Sequence, residues 1–264
     1  MKKQDLAVRI VVATHKDYWV PEDPVYLPLL VGAEKNHAER EFAKDNTGEN
    51  ISFKNPYYCE LTGLYWAWKN LDGEYIGLVH YRRHFANGKW WKKKRKRILP
   101  GSAFAAALKD AEILLPKPRH YWIETNYSQY AHAHHEEDLV QTRKILQEKY
   151  PEYIPAYDQS MGQRSGHRFN MFVMRKSLLD EYCGWLFDIL FDLEKRLNIS
   201  SYSQNDQRVF GFVGERLLDV WIRAKGLVFK ELPYVFLENQ NWVSKAARFV
   251  KRKIQSPQSS SMER

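Results

Sequence analysis

The chain has 264 residues, 44% of them apolar and 14% aromatic, which is enough to fill the core of one large domain, with or without short appendages. Its two cysteines, Cys59 and Cys183, exclude a disulfide framework, and both fall in apolar helical patterns that suggest buried free thiols in a reducing compartment. The net charge of +9 is local: residues 89–97 (KWWKKKRKR) hold seven basic residues and residues 245–253 hold five, and outside them 29 basic residues stand against 32 acids, which argues against a nucleic-acid surface spread over the whole body.

Residues 6–14 (LAVRIVVAT) form a nearly continuous β-branched run, expected as the first central strand of a mostly parallel sheet. It ends in Thr14, His15 and Lys16, polar groups at a strand's carboxyl end that suit either a nucleotide site or a plain turn. No glycine-rich dinucleotide fingerprint or P-loop follows. Residues 21–55 are punctuated by prolines and by the loop 45–50 (DNTGEN), a solvated connector or a ligand contact. Asn55 and Pro56 suit the start of a helix reaching about Lys69, with Asn55 as N-cap. Glu60, the one acid inside that helix, reads as either paired to an arginine or catalytic, with pairing to Arg82 or Arg83 the favoured reading.

Residues 74–85 (EYIGLVHYRRHF) are the most informative stretch. A short apolar run, 75–79, follows the turn pair Asp72-Gly73 and stops abruptly at His80, Tyr81, Arg82, Arg83 and His84. Open α/β sheets bind ligands beyond the carboxyl ends of strands, and guanidinium groups match phosphate oxygens, so this lip suits a phosphate. The competing reading is a surface loop with a chance cluster of charge.

Further along, a short helix is expected near 103–109 and a strand near 112–115. Residues 121–138 carry His132, His134 and His135 beside Glu136, Glu137 and Asp138, but their spacing matches no zinc motif, so no metal site is expected. Asp138 reads as the cap of a helix over 139–149, with Gln141 completing a capping box. A strand is expected over 169–174, with Asn170 polar in an apolar run, and then a long amphipathic helix over 177–197. Two glycines, 211 and 214, precede a new helix that carries Glu215 at its start, where the helix dipole favours an anion. Strand signals return over 227–236. Residues 243–254 read as a basic amphipathic helix and the tail from 255 as disordered, so the domain proper spans 1–242.

Six segments occur together and in order: 45–52 (DNTGENIS), 57–70 (YYCELTGLYWAWKN), 74–85 (EYIGLVHYRRHF), 129–139 (QYAHAHHEEDL), 166–174 (GHRFNMFVM) and 210–221 (FGFVGERLLDVW). The set resembles a family of bacterial capsular and exopolysaccharide glycosyltransferases long carried under a domain-of-unknown-function label, over roughly residues 7–240. The resemblance implies a GT-A-like α/β domain, with a mostly parallel central sheet flanked by helices, that uses a nucleotide-sugar donor, expected to be UDP-linked, with some members of the family implicated in galactofuranose transfer. It implies a lipid-linked saccharide acceptor and no cofactor. The basic segments 89–97, with Trp90 and Trp91, and 243–254 suit an anionic membrane surface, or else a solvated loop and tail helix, so the expectation is a cytoplasmic protein peripheral at the inner face of the plasma membrane, and the acidic body argues against a nucleic-acid partner.

One departure is informative. GT-A enzymes usually carry an Asp-x-Asp that holds a divalent cation on the diphosphate, whereas the comparable strand here ends in His80-Tyr81-Arg82-Arg83. The similarly spaced Asp72-Gly-Glu and Asp192-Leu-Glu sit before a strand and within a helix. The expectation is that Arg82 and Arg83, with His80 or His84, take the diphosphate charge in place of a metal. By the same resemblance Glu215 is the first candidate for catalytic base, Asp138 the second and Asp206 the third; Thr14, His15 and Lys16 lie near the nucleotide, and His167 and Asn170 near the sugar. Two other classes stay open: a non-catalytic sugar-binding or assembly protein, and a nucleic-acid binder acting through 89–97.

Overall fold

The β-branched run at the start of the chain becomes β1 (Val8–Thr14). In the computed structural model, which describes residues 7–238, it is followed by β2 (Tyr26–Leu30), β3 (Ala43–Lys44), α1 (Asn55–Tyr58), α2 (Leu61–Asn70), β4 (Tyr75–His80), β5 (Arg83–Phe85), α3 (Gly101–Ala107), β6 (Ile113–Pro116), β7 (Arg119–His120), α4 (Asn126–Ala133), α5 (Glu136–Lys149), α6 (Ile154–Gly162), β8 (Ser165–Gly166), β9 (Phe172–Arg175), α7 (Lys176–Arg196), α8 (Val209–Ala224), β10 (Lys230–Leu232) and β11 (Tyr234–Phe236). The expected segments 243–254 and 255–264 lie outside the described residues. No helix among the described residues is long and apolar enough to cross a membrane.

Nine strands form a mostly parallel α/β sheet in the order β10-β6-β9-β4-β1-β2-β3, with β5 pairing β4 and β11 pairing β5, and β7 and β8 pair as a separate two-stranded sheet. β1 is central and runs parallel to both β2 and β4; β9 runs antiparallel to its neighbours β4 and β6. The period-2 alternation of strand side chains sorts the core into two layers. Val11, Ala13, Ile76, Leu78, Phe172 and Met174 face the layer built with α2, α5, α7 and α8. Ile10, Val12, Tyr75, Val79 and Val173 face the layer closed by α3. Both faces are therefore covered, as a sheet of this kind requires.

Gly77 sits where β4 is squeezed between β1 and β9. A Cβ there would come 2.8 Å from Val173 Cγ2 and 2.9 Å from the Phe172 carbonyl oxygen, so the strand interior takes glycine for lack of space.

Four expectations change. The helix expected over 55–69 is broken at Cys59, whose backbone (φ 54, ψ −132) is not helical, and Asn55 lies inside α1 instead of capping it. Packing explains the break: Tyr58 stacks on Phe210 with centroids 4.7 Å apart, and Gly211 of α8 lies within 3.3 Å of Cys59 as measured from its ideal Cβ. The glycines 211 and 214 accordingly sit inside α8 and not ahead of it; a Cβ on Gly214 would lie 2.8 Å from Leu61 Cδ1. Glu215 is thus an interior helix residue, and the helix-start argument for it fails. The strand expected over 169–174 is only β9, because Phe169 (φ 80) and Asn170 (φ 49) make a left-handed turn before it. Asp138 does not cap its helix: α5 starts at Glu136, and Asp138 is drawn inward by the hydroxyls of Tyr130 (2.7 Å) and Tyr202 (2.9 Å). Gln141 donates to Glu137 instead.

The closeness at Gly77 yields a direct expectation. Gly77→Ala lowers stability by about 1–3 kcal/mol, read as a lower urea midpoint; an unchanged midpoint would mean that the sheet has slack at this crossing.

Candidate active site

Strand ends and helix ends enclose a cleft of about 470 Å³ outside the carboxyl ends of β1, β2 and β4. His15 follows β1, Lys35 comes from the loop after β2, His80 and Arg82 end β4, and Glu60 and Arg208 come from the helical side. A neighbouring hollow of about 480 Å³ shares Lys35, Pro56, Gln204 and Arg208 with it. Two joined compartments with arginine and lysine on their shared wall are suited to an anionic ligand and a second reactant.

The wall at residues 31–36 is held by Asp45. Its fully buried carboxylate accepts from the backbone N–H of Gly32 (2.9 Å) and Ala33 (3.0 Å), and from Ser52 Oγ (2.5 Å) and Thr62 Oγ1 (2.7 Å). Asp45 therefore acts on the cleft wall from the interior, while residues 46–50 are solvent-facing and do not line the cleft, as the connector reading expects. Arg208 is aimed by Cys59, whose Sγ accepts from its Nε at 3.0 Å. Cys59 is half-buried at the cleft, not fully buried as its sequence pattern suggested, while Cys183 is buried. Burial pushes the Cys59 thiol up to about 12.

The lip after β4 splits. The Arg82 guanidinium lies 3.3 Å from Glu238 and 5.2 Å from the centre of the Tyr81 ring, at the cleft wall. Arg83 stacks 4.4 Å from the centre of the Phe169 ring, with Phe236 at 6.0 Å. His80 lines the cleft, but burial and the charges of Arg83 and Arg82 hold its pKa well below the usual value, so it is neutral at pH 7. His84 points into the core, fully buried beside Tyr26, with its Nε2 3.2 Å from the Tyr81 carbonyl oxygen and its pKa pushed down by burial to about 4. It is removed from the anion-binding set, because its position in β5 turns it away from the cleft.

After β1, only His15 lines the cleft; it packs edge-on to Tyr81 at 5.4 Å. The buried Thr14 hydroxyl donates to the Lys16 carbonyl (2.6 Å), and Lys16 Nζ lies 5.6 Å from the centre of the Tyr81 ring. Neither Thr14 nor Lys16 lines the cleft.

The acids separate more sharply. Glu60 lines the cleft. Its partner is Asn170, which donates to it at 3.1 Å, and not the arginine expected from the sequence. Asn170 also donates to the Gly211 carbonyl (3.2 Å), so it clamps Glu60 to α8, while its own Oδ1 is left without a partner among the described residues. Glu215 does not line the cleft either; it is half-buried and makes no hydrogen bond or ion pair with any described residue, and burial, then the nearby Glu60 charge, raise its pKa above the ordinary carboxylate value. Asp138 is held by two tyrosines, and Asp206 by Ser203 (2.6 Å) and His134 (2.9 Å). Neither lines the cleft. His167 also leaves the set: it is buried between Asp219 (2.5 Å) and Glu231 (3.2 Å), away from the cleft lining.

Sequence reasoning thus missed Lys35 and Arg208, and of its two readings of Glu60 the favoured arginine pairing is replaced by Asn170. Nothing in the sequence around Arg208 signals that it meets Cys59, 149 positions away. Among the described residues no group of three or more His, Cys, Asp and Glu side chains is arranged to hold a metal ion.

Fold and cleft together define an α/β domain with a cleft at its parallel strand ends that is lined by Arg82, Arg208, Lys35 and Glu60. Residues 9–226 match the family described as Domain of unknown function (DUF4422), and the chain belongs to it. It is also similar to the apo structure of the WbbM bifunctional glycosyltransferase, with a TM-score of 0.79 and 31% identity over 88% of this chain and 46% of that one. The chain therefore spans about half the length of that relative. No curated protein matches it.

His167 gives a pH signature. Burial lowers its pKa, but the hydrogen bonds and charges of Asp219 and Glu231 outweigh that and leave it above 6.5. The stability it contributes is therefore fully present below pH 6.5 and is lost as pH rises through the raised native value. Melting temperature is expected to fall across that alkaline window in the wild type, and His167→Gln to flatten the dependence. Equal slopes in the two proteins would show that His167 is neutral when folded.

Proposed function

We propose that this chain is a GT-A-type glycosyltransferase that moves a hexose, galactose or galactofuranose, from a UDP-sugar to a lipid-linked saccharide in capsule or exopolysaccharide assembly. The observation that carries the reading is the cleft: Arg82, Arg208 and Glu60 line it, with Glu215 outside the lining but near enough to Glu60 to feel its charge, in a chain that is 31% identical to half of a bifunctional glycosyltransferase.

In the mechanism we propose, the diphosphate lies against Arg82 and Arg208, with the neutral His15 and His80 as hydrogen-bond partners and Arg83 contributing charge from behind its aromatic stack. Glu215 takes the proton of the acceptor hydroxyl. The acceptor oxygen bonds to the anomeric carbon as the bond from that carbon to the diphosphate oxygen breaks. The electron pair leaves with the nucleoside diphosphate, whose new charge the arginines receive. Glu60, fixed by Asn170, orients the sugar and keeps the Glu215 carboxyl basic enough to act as the proton acceptor. Arginine thereby fills the role that a divalent cation has in Asp-x-Asp enzymes.

Thermal-shift titration tests the binding step. UDP is expected to stabilise the protein equally in EDTA and in manganese, and Arg82→Gln or Arg208→Gln to weaken UDP binding roughly 10- to 100-fold. Stabilisation only with manganese would remove the arginine assignment and keep the transferase. Stabilisation by another nucleotide instead would change the donor class.

The chemical step has its own test. Glu215→Gln is expected to lower kcat by about 10²–10⁴-fold while leaving the UDP shift intact. Because the Glu215 pKa is raised, wild-type kcat/KM falls as pH drops through a value above 4.5, and this acid limb is absent from the residual activity of Glu215→Gln. A variant with full turnover and an unchanged limb would transfer the role to Glu60.

A further inference from the structure

We infer that the hairpin at residues 86–98 is a docking surface for an anionic lipid bilayer, placed so that a docked molecule holds its cleft at the membrane. The inference stands on this hairpin alone and holds whatever reaction the cleft performs.

The hairpin is a built element. Its base is closed by the Ala86–Ile98 bridge, by Asn87 N–H donating to the Arg97 carbonyl (2.9 Å) and by Leu99 N–H donating to the Phe85 carbonyl (3.1 Å). Its tip carries Trp90 and Trp91, which are 77% and 67% exposed, while Lys89, Lys92, Lys93 and Lys96 around them are also exposed. No acid occurs between Ala86 and Leu99. Two bare indoles cost free energy in water, and a protein this size has ample core for them. Tryptophan beside lysine is the composition that sits at a headgroup layer, where the ring has an apolar side and the ammonium groups meet lipid phosphates. Charge complementarity thus names the occupant.

Two contacts tie the hairpin to the cleft rim. Arg95 stacks 4.5 Å from the centre of the Trp19 ring, in the segment that follows His15. Lys94 Nζ donates to the Glu238 carbonyl (2.9 Å), and the side chain of Glu238 pairs with Arg82 at 3.3 Å. The surface that meets the bilayer therefore borders the compartment that takes the anionic ligand.

The test is co-sedimentation of the full chain with phosphatidylcholine vesicles, with and without about one third phosphatidylglycerol. Binding is expected only to the anionic vesicles. Replacing Lys89, Lys92, Lys93 and Lys96 together by Gln should weaken it by roughly 10²- to 10³-fold, at about fivefold per charge. Trp90→Ala with Trp91→Ala should weaken it at least about tenfold and make the remainder disappear in high salt. An unchanged melting temperature in both variants shows that they are folded. Equal binding by wild type and variants overturns the inference, since the bilayer would then be held elsewhere, including by residues 243–254. So does absence of binding to anionic vesicles, or tighter binding to a single-stranded oligonucleotide at the same salt.

Discussion

Everything at the cleft depends on the parallel pairing of β1 with β4, in register from Val8–Tyr75 to Ala13–His80. Because the two strands run the same way and end together, the residues that follow them emerge side by side, and His15 and His80 reach the same space. β9 then pairs with the other side of β4 in the opposite direction, which brings Asn170 to the same end of the sheet. A strand pairing with no room for a Cβ at Gly77 thus sets the positions of groups that are distant in sequence.

Around that frame each side of the cleft carries both signs of charge. Arg82, Lys35 and Glu34 come from strand ends and loops, and Arg208 and Glu60 from the helical side. The break at Cys59 serves the helical side: it admits the close approach of α8 at Gly211 and presents a sulfur to Arg208. An unfavourable backbone conformation is thereby held in place by packing on one side and a charged hydrogen bond on the other. Asp45 does similar work for the opposite wall from the interior, with four donors on one buried carboxylate.

Much of this was legible in the chain. The β-branched run and the short run at 75–79 became the two central strands, and the long helix at 177–197 appeared as Lys176–Arg196. The arginines after β4 could be singled out because they follow a strand's carboxyl end, whereas the helix-start argument for Glu215 does not survive its place inside α8. The roles inside each cluster were not legible. His80 and His84 are four residues apart and chemically identical, yet one lines the cleft and the other is locked in the core against Tyr26. Asp138 and His167 looked available and are engaged by Tyr130, Tyr202, Asp219 and Glu231, partners that no local pattern announces.

The sequence by itself determined where the strands and long helices form, that the sheet is buried on both faces, and that cationic groups gather at a strand end and in one exposed hairpin. Those properties follow from side-chain periodicity and composition, which act within a few residues of the chain. Tertiary structure alone decided that the helix breaks at Cys59, that the glycines of α8 are packing positions, and that Glu60 and Arg208 belong to the cleft while His84, Asp138 and His167 do not. Each of those outcomes is set by contact between segments up to 149 positions apart, and a side chain's direction there follows from strand register and close packing, which one-dimensional patterns do not encode.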